Sequence, residues 1–252
     1  MDVPNNRGQM EIRNDAADVA KRAAEIFIEA ARESANNGRF SVALSGGSTP
    51  KALYSLLAAP PYVDQVPWNI VHLFWGDERC VPPDHQDSNY RMTKEAMLTK
   101  VPLAENQIHR IEAELEPDVA ASKYSQVLES FFGGVPRFDL VLLGMGDDGH
   151  TASLFPGTKA LHDNDHLVVA NYVEKFKTHR ITLTAKVINN AARVNFLIVG
   201  DSKTKVLKEV LEGNREPDRL PSQLIQPTDG KLLWLVDRAA AANLSFATGA
   251  SK

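Results

Sequence analysis

The chain has 252 residues, 43% of them hydrophobic and 24% charged, with a formal net charge of −4 and a pI near 6.0. That is enough chain for a full core in one large α/β domain or two small ones. The charge balance excludes a global field for nucleic acid or anionic lipid, while leaving room for a local cationic pocket.

The lone cysteine, Cys80, excludes an internal disulfide and any cysteine-built zinc site, which fits a reducing compartment. The opening stretch MDVPNNRGQMEIRND lacks the apolar centre of a signal peptide, and Glu11 and Asp15 argue against a transit peptide. No apolar run is long enough to span a bilayer, so a cytoplasmic protein is expected.

Apolar residues from Val19 to Ala31 recur at helical spacing, with Asn37-Gly38 as the stop. RFSVAL predicts a short strand. In SGGSTP, Ser48 or Thr49 is expected to cap a helix with Pro50 at its first position, continued by KALYSLL. The run from Asn69 to Trp75 predicts a buried strand, and SNYRMTKEAMLT a helix after a turn-rich segment. PDVAASKYSQVLESFF predicts an amphipathic helix closed by Gly133-Gly134. FDLVLLG, Phe138 to Gly144, is apolar nearly throughout, as in strands buried on both faces. HRITLT and RVNFLIVG predict strands, DSKTKVLKEVLEG a helix stopped by Gly213, KLLWLV a last strand, and the Ala-rich end a short helix.

This alternation predicts a single doubly wound α/β domain over residues 12–245, a mostly parallel sheet with helices on both faces, with loose tails at 1–11 and 246–252. Sites in such sheets lie beyond the carboxyl ends of the strands. The loops SGGSTP, WGDERCVPPD and GMGDDGH occupy that position.

SGGSTP has the makings of a phosphate cradle: glycines allow close backbone approach, a helix start aims N–H groups, and Ser45, Ser48 and Thr49 add hydroxyls. An ordinary strand-to-helix turn accounts for it equally well. No Gly-Lys-Ser/Thr follows, so it is not a Walker A loop. GMGDDGH matches G-x-G-x-x-G, but Asp147 and Asp148 would repel a pyrophosphate, and Pro156-Gly157 breaks the helix that should follow. His150 instead suits a general base, oriented by Asp147 or Asp148. A tight turn whose aspartates cap backbone amides is the blander reading. In WGDER, Arg79 could clamp a phosphate or carboxylate or form a surface ion pair of little worth. Arg180 opens RITLT, and Lys203 sits near a helix start where a cation opposes the dipole. The histidines show no paired metal-ligand spacing on one helix, so no metal is expected.

Together and in this order, SGGSTP, WGDERCVPPDHQDSNY, GMGDDGHTASLFPG, HRITLT and GDSK resemble segments of the 6-phosphogluconolactonase family, over roughly Ala16 to Val236. The resemblance implies the sugar-phosphate α/β fold shared with the glucosamine-6-phosphate deaminases. It also implies hydrolysis of 6-phospho-D-glucono-1,5-lactone to 6-phosphogluconate, the second step of the oxidative pentose phosphate pathway, without cofactor or metal. Carried over by residue, His150 activates water with Asp148 beside it. Gly46, Gly47 and Ser48, next to Ser45, line the phosphate end. Arg79, Arg180 and Lys203 are cationic substrate contacts, and Asp77 is the acidic residue of its loop. The expected partner is a small sugar-phosphate lactone, with neither nucleic acid nor membrane, and a monomer is expected. A deaminase would carry an acidic residue shortly after Asp-Gly-His, where this chain has TASLFPG. A non-catalytic sugar-phosphate sensor would keep the cradle and lose the base.

Overall fold

The computed structural model describes residues 1–4 and 7–248. In chain order its elements are β1 (Gln9–Arg13), α1 (Ala16–Glu33), β2 (Phe40–Leu44), α2 (Ser48–Leu57), β3 (Val71–Trp75), β4 (Asp77–Arg79), α3 (Asn89–Ala96), β5 (Ile108–His109) and α4 (Pro117–Phe132). They continue with β6 (Leu140–Leu143), β7 (Val168–Val173), β8 (Thr178–Leu183), α5 (Ala185–Asn189), β9 (Arg193–Ile198), α6 (Thr204–Glu212), β10 (Lys231–Asp237), α7 (Arg238–Ala241) and α8 (Ser245–Thr248).

Apolar runs too long for a one-sided strand form the centre. Every residue of β2 and β6 is buried, so both faces of the sheet are covered. Helix α1 starts where Asp15 accepts from the Asp18 amide, and it turns Val19, Ala23, Phe27 and Ala31 inward. It ends at Glu33, and a tighter turn over Ser34–Asn37 carries the chain to Gly38. Helix α4 begins with Pro117 at its first position and stops at the left-handed Gly133.

The main sheet has seven strands in the order β1-β10-β9-β6-β2-β3-β5, and every neighbouring pair is parallel. From β2 the chain winds outward through β3 to β5, then crosses back to β6 and winds the other way. The order therefore reverses between β2 and β6, which opens a crevice past their carboxyl ends. SGGSTP leaves β2 and GMGDDGH leaves β6, so both loops stand at that crevice.

A second, three-stranded antiparallel sheet, β4-β8-β7, lies beside it. HRITLT, expected as a strand, lies in this small sheet: β8 pairs antiparallel with β4, and its Leu183 amide donates to Gly76 O. Part of the span 1–11, expected as a loose tail, is built into the fold. Gln9, Met10 and Glu11 pair with β10, and Val3 and Met10 are buried. The opposite end carries α8, with Phe246 packed on the core; residues 249–252 of that expected tail lie outside the described residues. No described helix is long and apolar enough to cross a membrane.

Candidate active site

The loop after β6 folds back on itself. Gly146 N donates to His150 O at 2.9 Å, and Thr151 Oγ1 donates to Gly144 O at 2.8 Å. Ser222 braces the turn, its amide and hydroxyl both donating to Gly149 O at 2.8 Å. Inside the turn, His150 Nδ1 meets Asp148 Oδ1 at 2.5 Å, and the imidazole stacks on Phe155 with centroids 4.0 Å apart. Those contacts fix the ring and leave Nε2 for the cleft that His150 lines. Gly146 makes the geometry possible, since a Cβ there would lie 2.0 Å from His150 Nδ1 and 2.8 Å from Asp148 Oδ1. Burial alone would raise the Asp148 carboxyl. The hydrogen bond and charge of His150, with help from Lys175, outweigh it and hold the group well below the usual carboxylate range. Of the two aspartates, Asp148 meets the imidazole, while exposed Asp147 pairs with Lys175.

Ser45, Gly46, Gly47, Asp77, Arg79 and His150 line one cleft of about 160 Å³, together with Asn89, Met145 and Ala152. Asp77 is buried; its Oδ2 accepts from Ser153 Oγ at 2.7 Å, and its backbone oxygen from Asn89 Nδ2 at 2.9 Å. Glu78 is buried too, and caps α3 by accepting from the amides of Asn89 and Tyr90 and from Ser88 Oγ. Asn89 comes so close to the first loop that a Cβ on Gly46 would lie 1.9 Å from its Oδ1.

The SGGSTP turn departs from the expected cap. Helix α2 starts at Ser48 with Gly47 as its N-cap, Pro50 is its third residue, and no side chain caps it. The amides of Ser48 and Thr49 precede the first helical bond, from Lys51 N to Gly47 O, and are left for another acceptor.

Arg79 and Arg180 face each other across the β4–β8 pair. Among the described residues no ion pair engages Arg79; its Nη1 donates to Asp87 O at 2.7 Å. The Nε atoms of both arginines are buried without a hydrogen-bond partner among the described residues. Burial and the neighbouring Arg79 depress the Arg180 guanidinium. Two like charges side by side, each with a desolvated unpaired donor, are costly unless an anion joins them.

The match to known proteins is extensive. The family model described as "Glucosamine-6-phosphate isomerases/6-phosphogluconolactonase" covers residues 14–234. The chain belongs to this family. A 6-phosphogluconolactonase of Nostoc sp. is 47% identical over 213 residues, 82% of this chain and 86% of that protein. Among solved structures, the devB protein aligns with a TM-score of 0.88 at 35% identity, over 94% of this chain and 99% of that one. A 6-phosphogluconolactonase from Trypanosoma cruzi aligns with a TM-score of 0.83 at 28% identity, over 94% and 97%.

In this member of the glucosamine-6-phosphate isomerase/6-phosphogluconolactonase family, the cleft gathers most of the side chains singled out from sequence. Asp148 stands behind His150, on the wall of an adjoining cavity of about 1220 Å³ that Phe155 and Lys175 also line. Ser48, Arg180 and Lys203 do not line the small cleft. Arg180 borders it only through Arg79, and Lys203 lies in the turn Asp201–Lys203 past the end of β9, which neighbours β6. Asn89, Phe155 and Lys175 were not singled out from sequence. The capping signal of Ser88 before a helix could have drawn notice to Asn89, whereas Phe155 and Lys175 reach the site only through tertiary contacts. Among the described residues no three His, Cys, Asp or Glu side chains group to hold a metal ion.

Proposed function

We propose that this chain is a 6-phosphogluconolactonase in which His150 is the base. The observation that carries the reading is the Asp148–His150 pair set at the sheet's switch point, opening on a cleft lined by Arg79, which faces Arg180 on the neighbouring strand. His150 Nε2 takes a proton from water as the water oxygen bonds to the lactone carbonyl carbon. The tetrahedral intermediate collapses, the bond from that carbon to the ring oxygen breaks, and the imidazolium returns its proton to the ring oxygen. Asp148 holds the tautomer with hydrogen on Nδ1 and balances the transient positive ring. A lactone is an activated ester, so no covalent enzyme intermediate is needed.

The phosphate fits the cationic side. Arg79 and Arg180 supply unpaired donors, the bare N-terminus of α2 with Gly46, Gly47 and Ser48 supplies amides, and Lys203 stands at the same sheet edge. Held there, the remote phosphate fixes the orientation of the lactone ring. Asn89 Nδ2 donates to the Asp77 backbone oxygen, so it is not a free donor for the developing oxyanion.

Two observations favour lactone hydrolysis over the deaminase chemistry of the same family. Thr151 to Gly157 supplies no acidic side chain, and Asp77 is already tied to Ser153 and Asn89. The His150–Asp148 pair speaks against a mere sensor. The single cysteine, Cys80, supports the cytoplasm. His150→Ala should lower turnover of 6-phosphogluconolactone by about 10²–10⁴-fold above the spontaneous background, while binding of 6-phosphogluconate survives. Undiminished turnover would remove His150 from the reaction.

A further inference from the structure

Asp148 offers His150 one oxygen and turns the other away. That second oxygen, Oδ2, accepts from Lys175 Nζ at 3.1 Å, and the same ammonium reaches Asp147 Oδ1 at 3.4 Å. Lys175 comes from the other sheet, on the turn Glu174–Phe176 between β7 and β8, which the left-handed Lys177 closes. Its neighbour Phe176 packs edge-on against Phe155 at 5.8 Å, and Phe155 carries the imidazole. One turn of the small sheet thus touches both halves of the pair, with a cation behind the carboxylate and an aromatic relay behind the ring.

We propose that Lys175 is a positioning residue for the Asp148–His150 pair, holding the carboxylate in line and keeping the imidazole in its neutral, proton-accepting form. This rests on His150 being the base. A bare carboxylate favours the imidazolium; a cation on its far oxygen offsets part of that field. The other charged groups around the pair are Asp147 on the same loop, Asp77 and Arg79 across the cleft, and Arg180, whose guanidinium lies 5.2 Å from the Phe176 ring. With Lys175 removed, Asp147 also loses its counter-charge, which pushes the same way. Lys175 is 49% exposed, so the ion pair adds little to global stability. Its effect belongs in the titration of the site.

The test uses Lys175→Met and Lys175→Arg. In the free protein, the His150 ring is followed by NMR from pH 5 to 9, its signal assigned by its loss in His150→Ala. The Met variant should titrate about half a pH unit higher than the parent, as expected for one charge removed at this range in a partly hydrated site. The acid limb of kcat/KM should move by the same amount, with KM on the plateau and Tm unchanged, and the Arg variant should restore the parent curve. Superimposable titrations of Met variant and parent would overturn the proposal. So would a raised KM with an unmoved midpoint, which would make Lys175 a substrate contact. A shifted midpoint in a protein that hydrolyses no lactone would uphold the coupling and reject the lactonase reading.

Discussion

At Gly146 a single hydrogen in place of a methyl decides whether the imidazole can stand in line. Replacing it by alanine puts carbon 2.0 Å from His150 Nδ1, so the ring must swing and its bond to Asp148 must break or stretch. Gly146→Ala should therefore lower kcat by about 10²-fold, the usual penalty for displacing a reacting group by an ångström. Phosphate-end binding, read as the affinity for 6-phosphogluconate, should change little, because none of the cationic groups touches Gly146. Parent-like kcat in this variant would mean that the ring's observed placement is not the working one. The glycine spacing visible in GMGDDGH thus has a cause different from that of a nucleotide fingerprint. It makes room for a side chain rather than for a pyrophosphate.

Among the elements, the far edge of the main sheet carries a pH dependence of its own. His72 on β3 and His109 on β5 meet with Nδ1 and Nε2 3.2 Å apart, and His109 stacks on Phe74 at 4.3 Å. Burial, then the nearby His72, pushes His109 down to about 4; burial, then Arg39, lowers His72. Both rings are therefore neutral in the folded chain at a pH where the unfolded chain already binds protons. Stability should fall as pH drops from about 6.5, the ordinary histidine value, toward about 4. His109→Phe keeps the stack and removes one proton site. Its Tm should decline less steeply across that interval than the parent's, and equal slopes would show that this edge does not govern acid stability. The edge was hard to read in advance: β5 is two residues long, too short to leave a periodic signal.

For the molecule as a whole, the two sheets carry different parts of the proposed site. The Asp148–His150 pair hangs from the parallel sheet, while Arg79 and Arg180 sit on the antiparallel one. Arg180→Leu should relieve the desolvated repulsion with Arg79 and raise Tm by about 2–4 °C, equivalent to roughly 1 kcal/mol. It should also raise KM for the phosphorylated lactone by about 10–100-fold, the worth of a charge-assisted contact. An equal effect on unphosphorylated gluconolactone would show that Arg180 does not serve the phosphate. The parallel sheet was legible because FDLVLLG and RVNFLIVG are mostly apolar, and the crevice followed from the alternation of strands and helices. The small sheet was not. Its register joins Asp77–Arg79 to residues a hundred positions later, and β1 mixes charged with apolar residues at an edge. Arg79 and Arg180 were each marked locally, but nothing local shows that they face each other, and nothing local marks Lys175. Synthesis order gives the brace on Gly149 a further meaning. A growing chain completes the loop that holds His150 long before Leu220 and Ser222 emerge to lock it. Hydrolytic competence therefore arrives with the last third of the chain, and activity is a late reporter of completed folding.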